Sequence, residues 1–436
     1  MTTARIASPR TARAINDRIA LELLAERGPL TAAALKDLTG LSRPSVADLL
    51  ERLARDGLVA VVGEDRGERR GPRARVYGLV AGRAHVAALD VRAEGVTFAV
   101  ANLAGETVGR AALPVPGGGP GDERPEAVVA RVADALGDTL RAAGVSTLHT
   151  TVMGAPGLAD PATGALRASG SLPRWHRLLP GALRTRQAGR VLVENEVNLA
   201  GIAEHRLGAV RDRDTFVLLW LGAGVGAAVV LDGALRRGAS GGAGEIGFLP
   251  VPGTGGLPGA ADCEGGFHAL AGGAAVLALA RRHGLDATDA EAAVARAAAA
   301  DSGPGAAFLD ELAGRVALGL AGVAAVLDPG CAVLGGETGR AGGEALAGRV
   351  ERRLRELSPL ETQVRAAVVG GSPVLGGGLL TALDTARRDL FGGPGPETAS
   401  ASPAGATSAG GAPATPPRRL VMPPTARRRG AAAVAD

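Results

Sequence analysis

The chain has 436 residues, 46% hydrophobic and only 2% aromatic, which suffices for two or three cores built from Ala, Val and Leu. The formal net charge is +4, carried almost wholly by Arg, with Lys36 the single lysine. That bias suits bidentate contacts to phosphate and guanine, and equally the coding habit of a GC-rich genome. Two cysteines, Cys263 and Cys331, exclude a disulfide framework. No apolar run approaches the roughly 20 residues of a membrane span, and no apolar segment follows Arg5, Arg10 and Arg13 as in a signal peptide. The expectation is a cytoplasmic protein that does not engage a membrane.

Residues 1–12 read as a flexible arm, and residues 13–82 as one folding unit. Ile15, Ile19, Leu23 and Leu24 recur at helical spacing and predict a helix from Arg13 to Arg27, stopped by Gly28-Pro29. Thr31 caps a second short helix with Leu35 and Leu38 inward. Ser42 caps a third, with Pro44 in its first turn, where a missing N–H costs nothing. Val46, Leu49, Leu50 and Leu53 form the inner stripe of that third helix. Arg43, Pro44, Ser45, Ala47, Asp48, Glu51 and Arg52 are left facing outward.

Two strands follow, Leu58 to Val62 and Arg75 to Val80. The loop between them is basic: Arg66, Arg69, Arg70, Arg73 and Arg75 stand against a single acid, Glu68, in that span. Three helices and a basic hairpin make the plan of a winged helix-turn-helix. Arg43 and Ser45 suit the major groove. Arg69, Arg70 and Arg73 suit phosphates or a narrow minor groove. Pro44, Asp48 and Arg52 complete the candidate surface for a double-stranded DNA operator. The alternatives are a solvated charged hairpin, or a trihelical unit used for protein contacts.

From 84 to 391 short Val/Ala/Leu strands alternate with Ala/Leu/Arg helices, an α/β pattern. Beyond 392 periodicity vanishes into Gly, Pro, Ala and Thr, ending in Arg427-Arg428-Arg429, and residues 392–436 read as a disordered tail.

Five stretches of the large region carry a resemblance. Gly154-Ala155-Pro156-Gly157-Leu158-Ala159-Asp160, Val193-Glu194-Asn195-Glu196-Val197-Asn198, Leu221-Gly222-Ala223-Gly224-Val225-Gly226, Gly244-Glu245-Ile246-Gly247 and Leu327-Asp328-Pro329-Gly330 with Leu334-Gly335-Gly336 resemble, in order and spacing, the motifs of the ROK sugar kinases and repressors. One glycine motif alone would be weak. The resemblance implies a two-lobed, actin-like sugar-kinase domain behind the winged helix-turn-helix.

The departures from that pattern point away from catalysis. Where the kinases have Asp-x-Gly-Gly-Thr, whose backbone N–H groups cradle phosphate, this chain has Asp90-Val91-Arg92-Ala93-Glu94. Ala223 replaces a hydroxyl residue of the second phosphate loop. The position of the family's catalytic base is Glu196 rather than Asp, one methylene longer, a displacement that can cost about a hundredfold in rate. The three zinc-binding Cys positions fall on Gly259, Ala261 and Gly266, and the motif's His is Phe248, so no metal and no cofactor are expected. Asn195, Glu196 and Glu245 remain as candidate contacts to sugar hydroxyls, with His268 as a substitute contact; a hydrogen-bonding pair at a strand end and an ordinary loop His are the plainer alternatives. Trp175 reads as packing.

The resulting expectation is a regulator, a repressor of carbohydrate-related genes, that acts as a homodimer or homotetramer and binds a sugar or sugar-like effector. An active ATP-dependent sugar kinase with an accessory DNA-binding domain, and a non-sensing DNA-binding protein that uses the large domain to dimerise, are the competing readings.

Overall fold

The computed structural model describes residues 9–65, 73–115, 124–160, 163–167, 172–187, 189–259, 263–300 and 302–392. The head is built from α1 (Pro9–Arg27), β1 (Leu30–Thr31), α2 (Ala32–Thr39), α3 (Arg43–Arg55), β2 (Val59–Asp65) and β3 (Ala74–Leu79). Its caps follow the sequence: Thr31 accepts from Ala34 N and Ser42 from Ser45 N, and Gly40 closes α2 in the left-handed conformation. The strands form a three-stranded sheet in the order β1-β3-β2, antiparallel throughout.

Three details of the head differ from expectation. The first helix starts at Pro9, so residues 9–12 are helical and not part of an arm. Its inner face is Ala20, Leu21 and Leu24, while Ile15 and Ile19 are 50% and 39% exposed. The reason is polar: Arg52 of α3 donates to Asp17 at 2.7 Å, which fixes the rotation of α1 against α3. Leu38 is also exposed, leaving Leu35 as the buried anchor of α2.

A 3₁₀ turn leads into the large domain, which builds one plan twice. The first copy has β4 (His85–Arg92), β5 (Gly95–Asn102), β6 (Thr107–Pro114), α4 (Pro125–Ala142), β7 (Thr150–Ala155), α5 (Arg174–Arg186), β8 (Arg190–Asn195) and α6 (Glu196–Leu207). The second has β9 (Phe216–Leu221), β10 (Val225–Leu231), β11 (Ala234–Arg236), α7 (His268–Ala271), α8 (Gly273–Arg282), α9 (Ala290–Ala300), α10 (Gly303–Leu327), β12 (Cys331–Gly335), α11 (Gly336–Leu357), β13 (Gln363–Ala366) and α12 (Pro373–Leu390). Sheet orders are β6-β5-β4-β7-β8 and β11-β10-β9-β12-β13. In each, an antiparallel three-stranded meander is extended by two parallel strands. The β4–β5 turn and the β9–β10 turn are therefore equivalent places in the two copies.

The last helix of each copy crosses over: α6 packs on β9 and β10, and α12 packs on β4 and β7, with α6 and α12 against each other. Glycines permit the approach. A side chain at Gly377 would collide with Leu199 O, and one at Gly378 would lie 2.8 Å from Ala88 Cβ. One apolar cluster runs from the head (Leu21, Leu24, Leu49, Leu79) through Leu103 to Leu199, Val333, Leu383 and Phe391. No helix among the described residues is long and apolar enough to cross a membrane.

The end of α6 is fixed by a buried carboxylate. Glu204 is 1% exposed and accepts from Ala209 N (2.8 Å), Val368 N (3.1 Å) and Val369 N (2.8 Å). It thereby ties α6 to the chain that connects β13 with α12. Removing it leaves three backbone N–H groups without that partner, and because they are only partly buried, with Val368 itself exposed, water can replace part of what is lost. Glu204→Ala is therefore expected to lower unfolding free energy by about 1–3 kcal/mol in urea titrations, with Glu204→Gln falling between it and the parent.

Candidate functional site

The outward face of α3 is as the sequence implies: Arg43, Pro44, Ser45, Ala47, Asp48 and Glu51 are exposed, while Val46, Leu49, Leu50 and Leu53 are buried. The Ser45 hydroxyl lies 2.8 Å from that of Ser42 at the helix start. Arg52 stands apart from this set. It is half-buried, held by Asp17 and Asp48, and braces α1 on α3. In the wing, Arg73 donates to Glu64 across the hairpin at 3.1 Å. Arg69 and Arg70 lie outside the described residues.

In the large domain, β8 runs into α6 at Asn195. Asn195 Oδ1 accepts from Val197 N (2.9 Å) and Asn198 N (3.3 Å), and its Nδ2 donates to Gly157 O at 3.2 Å. It is thus the N-cap that joins the glycine turn at 154–160 to the helix. Glu194, buried beneath it, accepts from Asn198 Nδ2 (2.9 Å), Asn195 N (3.0 Å) and Arg237 Nε (2.6 Å). These bonds make Asn195 part of a polar network at the end of β8, where its side chain serves the fold.

Glu196 follows, and its Oε2 is buried with no hydrogen-bond partner among the described residues. Burial pushes its pKa up to about 7; the charge of Arg92 pulls it down, and those of Asp90 and Glu245 add to the rise. Glu245 lies exposed on the rim, before a 3₁₀ turn at Ile246–Phe248. His268, at the start of α7, sits beside the same turn: a Cβ on Gly247 would lie 3.7 Å from the His268 Cβ.

Arg92, read from sequence only as a spoiled glycine, organises this cleft. Its Nε donates to Asp90 Oδ1 at 2.7 Å, its Nη1 lies 3.8 Å from Glu337 Oε1, and its guanidinium stands 5.3 Å from the Trp220 ring centroid. Burial alone would lower its pKa, but Asp90, Glu196 and Glu337 together hold it above the usual value. Asp90 also accepts from Ser372 Oγ at 3.0 Å, at the cap of α12. Trp220, Glu337 and Ser372 went unread because no local pattern marks them; only the fold brings them to Arg92. Trp175 is buried, as packing requires.

The residues present do not fit the family's zinc. Gly259 and Gly266 carry no ligand atom, Ala261 lies outside the described residues, and among the described residues no group of three His, Cys, Asp or Glu side chains could hold a metal ion.

Because the folded-state pKa of Glu196 lies above its ordinary value of 4.5, the native state holds a proton there that the unfolded chain has released. Stability from this group is full below about 4.5 and is lost as pH rises through about 7. Glu196→Gln, permanently neutral, is therefore expected to melt higher than the parent above neutral pH. The gap should close as the buffer is acidified, which melting curves across a pH series would show.

Residues 86–382 match the model of the ROK family, and residues 16–71 that of the MarR family. A solved ROK family transcriptional regulator, a homolog of the E. coli MLC protein, superposes with a TM-score of 0.68 at 18% identity, over 87% of this chain and 99% of that one, a likeness of fold. A ROK hexokinase from Thermus thermophilus gives a TM-score of 0.55 at 27% identity, over 68% of this chain and 98% of that one. The bifunctional enzyme NanE/NanK of Brucella melitensis is 39% identical over 153 residues, 35% of this chain but only 28% of that protein's length. The xylose repressor of Bacillus subtilis is 23% identical over 251 residues, 56% of this chain and 63% of that protein. The ROK model spans well over half of the sequence, and the protein belongs to the ROK family.

Proposed function

We propose that the chain is a DNA-binding transcriptional regulator, a repressor of carbohydrate-related genes, whose sugar-kinase-like domain has lost phosphoryl transfer and senses a sugar or sugar-like effector. One observation carries this reading: a winged head with an exposed α3 face precedes a ROK domain in which Arg92 stands where the kinases have phosphate-cradling glycine. The likeness to the solved ROK regulator, head included, and to the xylose repressor supports it.

On this reading α3 enters the major groove, with Arg43 and Ser45 at base edges, and the wing arginines meet the backbone. The effector lies among Asn195, Glu196, Glu245 and His268. Of these, Asn195 keeps only part of its amide for a ligand, since its other bonds serve the fold. Glu245 and, in its ionised form, Glu196 then give the strongest contacts to hydroxyls, hydrogen bonds to charged groups being worth about 1.5–3 kcal/mol each. The protein acts as a homo-oligomer on an inverted repeat, the symmetry of the operator mirroring its own.

Binding titrations across a salt series, on specific and scrambled duplexes, test the DNA assignments. Arg43→Ala should relax preference at one base pair, at about 1–3 kcal/mol if the contact is bidentate. Arg70→Ala should weaken binding to all sequences alike and flatten the salt slope by about one unit. A parental slope in the wing variant would reduce the hairpin to a solvated loop. A coupled assay with ATP and glucose, N-acetylglucosamine or xylose should show no turnover above background; phosphorylation of any of them would make the chain a kinase with an accessory head.

A further inference from the structure

We propose that Arg92 and Glu337 occupy an anion seat between the two sheets, and that Glu337 keeps phosphate-bearing ligands out of it. The inference rests on the non-kinase reading of the cleft and adds the means by which such ligands are shut out.

The seat is made by the β9–β10 turn. Gly222 N donates to Gly224 O at 3.0 Å, and the absent side chain of Gly222 leaves a hollow. That hollow is filled from within the protein: a side chain on Gly222 would collide with Glu337 Oε2 and come within 2.9 Å of the Trp220 indole nitrogen. A carboxylate oxygen, a guanidinium and an indole N–H donor therefore meet over a glycine turn. Glycine turns beside a guanidinium receive phosphate oxygens elsewhere in proteins, and here the anion is the chain's own Glu337.

The position of Glu337 is built rather than accidental. It stands in the first turn of α11, where its charge is favoured by the helix dipole. The preceding glycine has φ of +77°, and a side chain there would collide with Leu221 O, so the start of α11 is pressed against the end of β9. Arg92 reaches Glu337 from the equivalent turn of the other sheet, and is itself tethered by Asp90 at 2.7 Å. A phosphate entering the hollow would have to displace Glu337 and would meet Asp90 and Glu196 behind the single guanidinium.

Ligand-dependent melting of the full chain tests this, with AMP-PNP plus magnesium and with pyrophosphate as probes. The parent should show no shift with either. Glu337→Ala and the shape-preserving Glu337→Gln should both acquire binding, at least about tenfold above the parent. Adding Arg92→Ala to either should abolish the gain, because the cation that receives the anion is then gone. Parental binding of AMP-PNP without phosphoryl transfer would overturn the plug and leave the regulator reading intact; phosphoryl transfer by the parent would overturn both. Two cooperatively melting Glu337 variants that gain nothing would also overturn it.

Discussion

The close crossing of α6 and α12 is the constraint on which the large domain turns. Each helix ends one copy of the repeated plan and packs on the sheet of the other copy, so the two halves cannot part without breaking that contact. Leu199 and Gly377 set how near the two helices come, and Gly378 how near α12 comes to β4, in an interior that is close-packed. The N-termini of both helices also open at the cleft. Asn195 and Glu196 begin α6, and Ser372, bonded to Asp90, caps α12. A change in the cleft therefore bears directly on the two elements that join the sheets.

The opposite end of α12 lies under the head. Arg387 donates to Leu103 O at 3.0 Å and is close enough to Glu26 of α1 for that charge to raise its pKa against the dominant lowering by burial. Leu383 and Phe391 belong to the same apolar cluster as Leu21, Leu49 and Leu79. The head and the large domain therefore share one continuous apolar core.

What could be read from sequence was local. The caps at Thr31 and Ser42, the inner stripe of α3 and the alternation of strands and helices depend on neighbours within a few positions, where pattern and structure agree. Of the five glycine- and acid-bearing motifs, those at 154–160 and 193–198 meet at Asn195, whose amide donates to Gly157 O. The reading of α1 failed because hydrophobicity alone put Ile15 and Ile19 inward, whereas an ion pair to Asp17 from 35 residues away sets the face. Long-range pairing of the same sort hid Glu337 and Ser372: each looks like an ordinary helix-start residue until the fold sets it beside Arg92 or Asp90. Glu204 was invisible likewise, since two of its three backbone partners lie 164 and 165 positions away.

Loss of a phosphate cradle can leave either a void or a replacement, and the two have different consequences. Had glycines merely become larger residues, the cleft would keep an uncompensated set of donors, a costly state when buried. Instead Arg92 brings a cation that Asp90 and Glu337 balance, and Glu337 brings an anion to the hollow over Gly222. Among the described residues Glu196 is the one carboxylate with a buried oxygen unmet by hydrogen bonding. Its raised pKa has the same origin: Arg92 is shared among several acids and cannot fully offset the burial of another charge. A neutral, hydroxyl-bearing ligand is the chemistry that such a carboxyl meets best, since a hydroxyl satisfies it in either protonation state whereas an added anion would face the acids already gathered around a single arginine.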